Sequence, residues 1–336
     1  MKAAVADAGL PGGRREALRR AAPYMAAAVA FGLGFVGVYW LLVLTEPGQR
    51  LENLALQGAE LRSADDRGRS LGALTPISVV TFGFALAFVA FAGAARGRLA
   101  LGVLAASVMV VAVVAADLLK EVLPRPAHVV GPVWLLRNSF PSGTASVATA
   151  VAVGALLVSP DRLRWIALVV GSVGVGVVAQ ALQVTGWHRL SDVVGSALLV
   201  AAVASAGVAV LAAADLTAPT AVGRVHPRLY ASLLAGASVV MAAGGLVLVL
   251  LVAFPLLSSP EGGTRAFLQT AFPLLSIGLT VLILALFARV IEPRSLGRRP
   301  PPPAVEPADQ EAEVRGLPAD ASSDSPGPSG ARVRGR

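Results

Sequence analysis

The run LALGVLAASVMVVAVVAADLL, residues 99–119, decides the fold class. Its one charged residue is Asp117, close to the end. A helix of roughly 20 such apolar residues spans the ~30 Å hydrocarbon core of a bilayer. Seven further stretches read the same way: 21–45, 75–95, 144–158, 166–183, 192–211, 229–253 and 267–291. Any one of them could be a buried core helix. Together they predict an all-α, polytopic membrane helical bundle with about eight transmembrane helices. The whole chain agrees, with 55% apolar residues, 14% charged residues and a mean hydropathy of +0.72, where soluble domains carry about a quarter charged residues. The stretch 144–158 is short, and 166–183 carries Gly171, Gly174 and Gly176, small residues that let helices approach closely. The absence of cysteine excludes a disulfide scaffold or a zinc–thiolate site.

Four segments follow from this pattern: a basic N-terminus over 1–20, a core over 21–211, two additional helices over 212–291, and a tail over 292–336. The first span is too long for a signal-peptide core and lacks a small-residue cleavage site, so it reads as an uncleaved anchor. Arginines mark one side: Arg14, Arg15, Arg19 and Arg20, then Arg96 and Arg98, Arg162 and Arg164, Arg224 and Arg228, and Arg294, Arg298 and Arg299. The positive-inside rule places that side, and both termini, in the cytoplasm of a multi-pass plasma-membrane protein. The net charge of +8 therefore marks topology and lipid headgroups, not nucleic acid. The tail holds nine of the 23 prolines and balanced charge; it reads as a disordered segment, with a protein partner for its proline-rich stretch left open. Loop 46–74 carries Leu51, Leu54, Leu56 and Leu61 at near-helical spacing and predicts a short amphipathic helix on the outer surface.

Ionisable groups in or beside membrane spans are costly and point to function. They gather at the predicted outer ends of the third to sixth spans. Asp117 and Lys120 lie at i, i+3; KEVLPRPAH supplies Arg125 and His128; NSFPSGT opens the fourth span; GWHRLSD joins the fifth and sixth. Ser142, Gly143 and Thr144 stand where backbone N–H groups at a helix start lack intrahelical acceptors, which suits an anion, although Ser142 or Thr144 equally serves as an N-cap. Lys120 and Arg125 suit phosphate oxygens or lipid headgroups. His188 and Asp192, four apart, share a helix face, so the carboxylate either orients the imidazole or caps the helix. His226 receives no role, and no ligand set for a metal or cofactor appears.

Taken in order, the Lys and Arg-Pro block, PSG at a helix start and GWHRLSD resemble the type 2 phosphatidic acid phosphatase family, relatives of vanadium haloperoxidases and bacterial acid phosphatases. The resemblance implies a six-helix phosphatase-like core over 21–211, an outward-facing site, a phosphohistidine intermediate and no metal. His188 then corresponds to the nucleophile and Asp192 to its orienting acid. Lys120, Arg125, Ser142, Gly143 and Thr144 correspond to the phosphate cradle. The implied activity is hydrolysis of a membrane lipid phosphate or an isoprenoid pyrophosphate, with the lipid tail entering between helices.

Three departures stand out. Four residues, not six, separate Lys120 from Arg125. Ala181-Leu182 stand where the family has Ser-Arg, and Thr144 replaces the family histidine that protonates the leaving oxygen. A positioned acid contributes about 10²–10⁴ in rate. Arg189 offers a replacement charge for the arginine missing at Leu182, and for Thr144 three outcomes stay open: a weakened or inactive lipid-phosphate-binding protein, His128 as the acid, or a pyrophosphate substrate that needs less protonation. A transporter is a third class; it would carry its charges near the midplane.

Overall fold

The computed structural model describes residues 11–129, 136–219, 225–256, 262–292 and 294–297. Arg224, Arg298 and Arg299, the tail from 298 onward, and the side chains of His226, Arg228 and Arg294 lie outside the described residues. Ten α-helices account for most of these residues: α1 Pro11–Val38, α2 Glu46–Gly58, α3 Ala64–Leu74, α4 Val79–Ala95, α5 Leu99–Val122, α6 Gly143–Val158, α7 Arg164–Val184, α8 Leu190–Ala213, α9 Val225–Leu256 and α10 Gly262–Ile291. A π-helical turn, Tyr39–Val43, continues α1. Two three-residue strands, β1 Thr217–Pro219 and β2 Arg294–Leu296, pair antiparallel with Thr217 opposite Leu296.

Each of the eight apolar stretches is a helix. Among the described residues, six helices are long and apolar enough to cross a membrane; α3 and α4 form a pair bent by 42°, and α6 is the shorter apolar helix. The chain is a polytopic all-α bundle. Its starts follow local chemistry. Ser78 caps α4 with a reciprocal pair, accepting from the Thr81 amide at 3.2 Å while Thr81 Oγ1 accepts from the Ser78 amide at 3.0 Å. Thr45 and Ser63 cap α2 and α3 through the Gly48 and Asp66 amides.

Helix α8 is the axis of the bundle. It packs against α1, α5, α6 and α10, and α10 also packs on α7, α9 and α2. Of the predicted glycine contacts, Gly171 does meet Ala152 of α6, whereas Gly174 has no neighbour that a Cβ would touch.

The arginines at one end are bonded into the fold. Arg98 and Arg164 are buried. Arg98 Nη1 donates to the Leu296 carbonyl at 2.9 Å, Arg164 Nη1 to the Ile291 carbonyl at 3.5 Å, and Arg96 to the Val158 carbonyl. Arg164 and Arg96 satisfy carbonyls at the C-terminal ends of α10 and α6, where a cation is favoured, and Arg98 satisfies one of β2. The β1–β2 pair adjoins this end. The N-terminus of α8 lies at the other end of a 24-residue helix, about 36 Å away, and there the polar residues collect.

The segment 46–74 departs from the expected surface helix. It forms two helices, and α2 buries Gln49, Glu52 and Asn53 along with Leu56, while Leu61 is exposed. Polar residues at i, i+3 and i+4 share a helix face; in α2 that face turns inward because polar partners await it there.

Candidate active site

The site begins at the turn between α7 and α8. Gly186 adopts a φ of +73°, a left-handed conformation that only glycine takes without strain. The Trp187 and His188 amides bond back to the Leu182 carbonyl at 3.0 and 3.2 Å. This ends α7 and swings His188 over the first turn of α8. Asp192, 0% exposed, accepts through Oδ2 from His188 Nδ1 at 3.2 Å and from the Arg189 amide at 2.9 Å. Both readings of the His–Asp spacing therefore hold at once: the carboxylate caps α8 and orients the imidazole. With Nδ1 donating, Nε2 is left with its lone pair.

The start of α6 is fastened to the same turn. The Ser142 amide donates to the Asp192 carbonyl at 3.1 Å, and Ser196 Oγ reaches the Ser142 and Asp192 carbonyls at 2.8 and 2.7 Å. Close packing sets this approach, since a Cβ on Gly195 would lie 2.4 Å from the Phe140 ring. Ser142 Oγ accepts from the Ala145 amide at 3.2 Å, so Ser142 is the N-cap of α6. Gly143 opens the helix, with Thr144 half-buried after it. A Cβ on Gly143 would stand 3.0 Å from Asp117 Oδ1 and 3.8 Å from Lys120 Nζ. Lys120 thus flanks the α6 N-terminus, at 3.9 Å from Asp117.

Arg125 is held from both sides: Tyr39 donates to the Pro124 carbonyl, and Gln49 Nε2 donates to the Pro126 carbonyl at 2.7 Å. Its Nη1 and Nη2 are buried without a hydrogen-bond partner among the described residues. It senses the charges of Arg189, Glu52 and Asp192, and burial together with Arg189 lowers its pKa. A desolvated fork of donors suits the oxygens of an anion.

Arg189 is itself buried and anchored, with Nε donating to Asn53 Oδ1 at 3.1 Å and Nη1 to Ser139 Oγ at 2.8 Å. Of the two proposed substitutes, Arg189 belongs to the cluster. His128 is exposed and its Nε2 meets the Leu44 carbonyl at 3.0 Å.

Sequence reasoning missed Gln49, Glu52, Asn53 and Ser191. Glu52, 1% exposed, accepts from the Ser191 amide at 2.7 Å and from Ser191 Oγ at 2.9 Å. Burial and the nearby Asp192 push its carboxyl up to about 7. The available signal was the 49, 52, 53 spacing in EPGQRLENLALQG. Phe272 and Pro273 of α10 also border His188, beside Glu52, Gln183 and Arg189 in a cavity of about 10 Å³. No group of His, Asp and Glu suited to a metal occurs among the described residues.

No protein family, curated protein or solved structure matches the chain by comparison.

Proposed function

We propose that this protein is a membrane phosphatase, related to the type 2 phosphatidic acid phosphatases, which hydrolyses a lipid phosphate or pyrophosphate through a phosphohistidine. The observation that carries the reading is an imidazole oriented by a buried carboxylate beside a buried guanidinium without a hydrogen-bond partner among the described residues. His188 Nε2 attacks phosphorus while Asp192 steadies the imidazolium. Arg125, Arg189, Lys120 and the amides at the α6 N-terminus stabilise the charge spread over the equatorial oxygens. Water then releases phosphate from His188. A groove of about 380 Å³, lined by residues such as Ile77, Phe82, Val151 and Val175, reaches Val147, one helical turn from Thr144, and suits a lipid chain. In this reading the site faces outward from the plasma membrane and both termini are cytoplasmic, which the positive-inside rule applied to the arginines supports.

The test is phosphate release by detergent-solubilised protein from phosphatidic acid and from an isoprenoid pyrophosphate. His188→Ala abolishes it; undiminished release by that variant ends the mechanism. Thr144 favours a second reading, a weakened or inactive lipid-phosphate-binding protein of the same fold. A near-zero wild-type rate that rises by orders of magnitude in Thr144→His selects it.

A further inference from the structure

Thr144 leaves the proposed chemistry without the acid that the family resemblance supplies, and the structure brings a carboxyl to the site from elsewhere. Glu52 reaches the His188 turn from α2, a helix outside every resemblance block. It shares with His188 the cavity of about 10 Å³, close to the space one water occupies. Gln183, also on its wall, is 8% exposed and its Nε2 has no hydrogen-bond partner among the described residues. A water there would accept from Gln183 and donate to Glu52, the polar partners a buried water requires.

We propose that Glu52 carries the protons of both half-reactions. The inference rests on the phosphohistidine reading above. In the first half, the His188 Nε2–phosphorus bond forms, the bond from phosphorus to the leaving oxygen breaks, and that oxygen takes the proton of the Glu52 carboxylic acid. In the second half, water oxygen bonds to phosphorus and the phosphorus–Nε2 bond breaks. The water proton returns to the Glu52 carboxylate, and inorganic phosphate leaves. The acid is regenerated and no other reactant is needed.

The surroundings suit a group that must be acid and base in turn. Asp192 opposes a charge on Glu52, while Arg125 and Arg189 and the Ser191 amide favour one. From α10 the neighbours are uncharged Phe272 and Pro273, and from α7 the neutral Gln183. A carboxyl raised to about 7 is present in both forms near neutrality, where proton transfer is most effective. Glu52→Gln keeps an oxygen for the Ser191 amide, sets an amide nitrogen that can donate to Ser191 Oγ in place of the second oxygen, and removes the proton function.

The experiment compares wild type, Glu52→Gln, Glu52→Asp and His188→Ala on two probes, phosphatidic acid in detergent micelles and p-nitrophenyl phosphate. Glu52→Gln is expected to lose about 10²–10⁴-fold on phosphatidic acid. Nitrophenolate leaves without a proton, so the variant still gives one stoichiometric burst of it and then stalls as phosphohistidine. The pH limb near 7 disappears. Equal loss on both probes without a burst marks a structural role and overturns the proposal, as does wild-type turnover. Should Glu52→Gln fail to fold, Glu52→Asp decides: a loss on phosphatidic acid larger than on the aryl phosphate supports the proposal, and equal rates overturn it. Inactive His188→Ala with intact Glu52→Gln sinks this inference alone. Active His188→Ala, or a wild type inactive on both probes, sinks the phosphatase reading with it.

Discussion

Helices α2 and α3 follow one another in a single connection and look alike in sequence, yet the bundle uses them in opposite ways. Both are short, capped by Thr45 or Ser63, and rich in charge. In α3 the charges remain at the surface: Arg69 and Asp66 pair at 2.6 Å, both exposed. In α2 the polar face is swallowed, with Gln49, Glu52 and Asn53 each bonded to a different part of the site. Amphipathicity states that a helix has two faces. Which one turns inward depends on what the rest of the chain offers, here the Ser191 amide, Arg189 and the Pro126 carbonyl.

The largest expected difference is in pH dependence. Glu52 binds its proton more tightly in the fold than its ordinary value of 4.5, up to about 7. Between those values the folded state holds more protons than the unfolded one, so stability is fully present below 4.5 and falls as pH rises through 7. The loss is about 3 kcal/mol across the window. Thermal unfolding in detergent at a series of pH values measures it, and Glu52→Gln flattens the slope. A slope unchanged in that variant would place the titration elsewhere.

Next in size is Asn53→Ala, which strips an acceptor from the buried Arg189 guanidinium and costs about 1.5–3 kcal/mol. Its reach should extend to the site as a raised KM, because Arg189 spans from α2 to Ser139. A purely local role for α2 would lower stability and leave KM alone. The smallest effect belongs to α3. Arg69→Ala removes an exposed pair and should leave the unfolding temperature unchanged, since surface pairs of this kind contribute little. A clear drop there would mean that α3 also is anchored by its charges.

Much of the molecule is legible in one dimension. Apolar length alone marks the eight helices, and Ser142 and Asp192 announce helix starts by local spacing. His188 and Asp192 pair because four residues make one turn. Arg125 could be named as a cation, but its burial without a partner depends on Tyr39 and Gln49 holding the carbonyls on either side. Glu52 was hidden for the same reason: its partner Ser191 lies 139 residues away, and no local pattern links them.

The opposite end repeats the lesson. Arg98 and Arg164 satisfy a topology rule in the sequence, and in the fold they also bond to carbonyls of Leu296 and Ile291.

The sequence by itself determined a polytopic helical bundle and the chemistry available at one end of it, because hydrophobic length, caps and i, i+4 pairs act within a few residues. Only the tertiary structure decided that α2 turns its polar face inward, that α10 walls the His188 cavity, and that a glutamate stands beside the imidazole. Buried polar groups must find partners wherever the packed chain supplies them, and those partners lie on helices far apart in sequence.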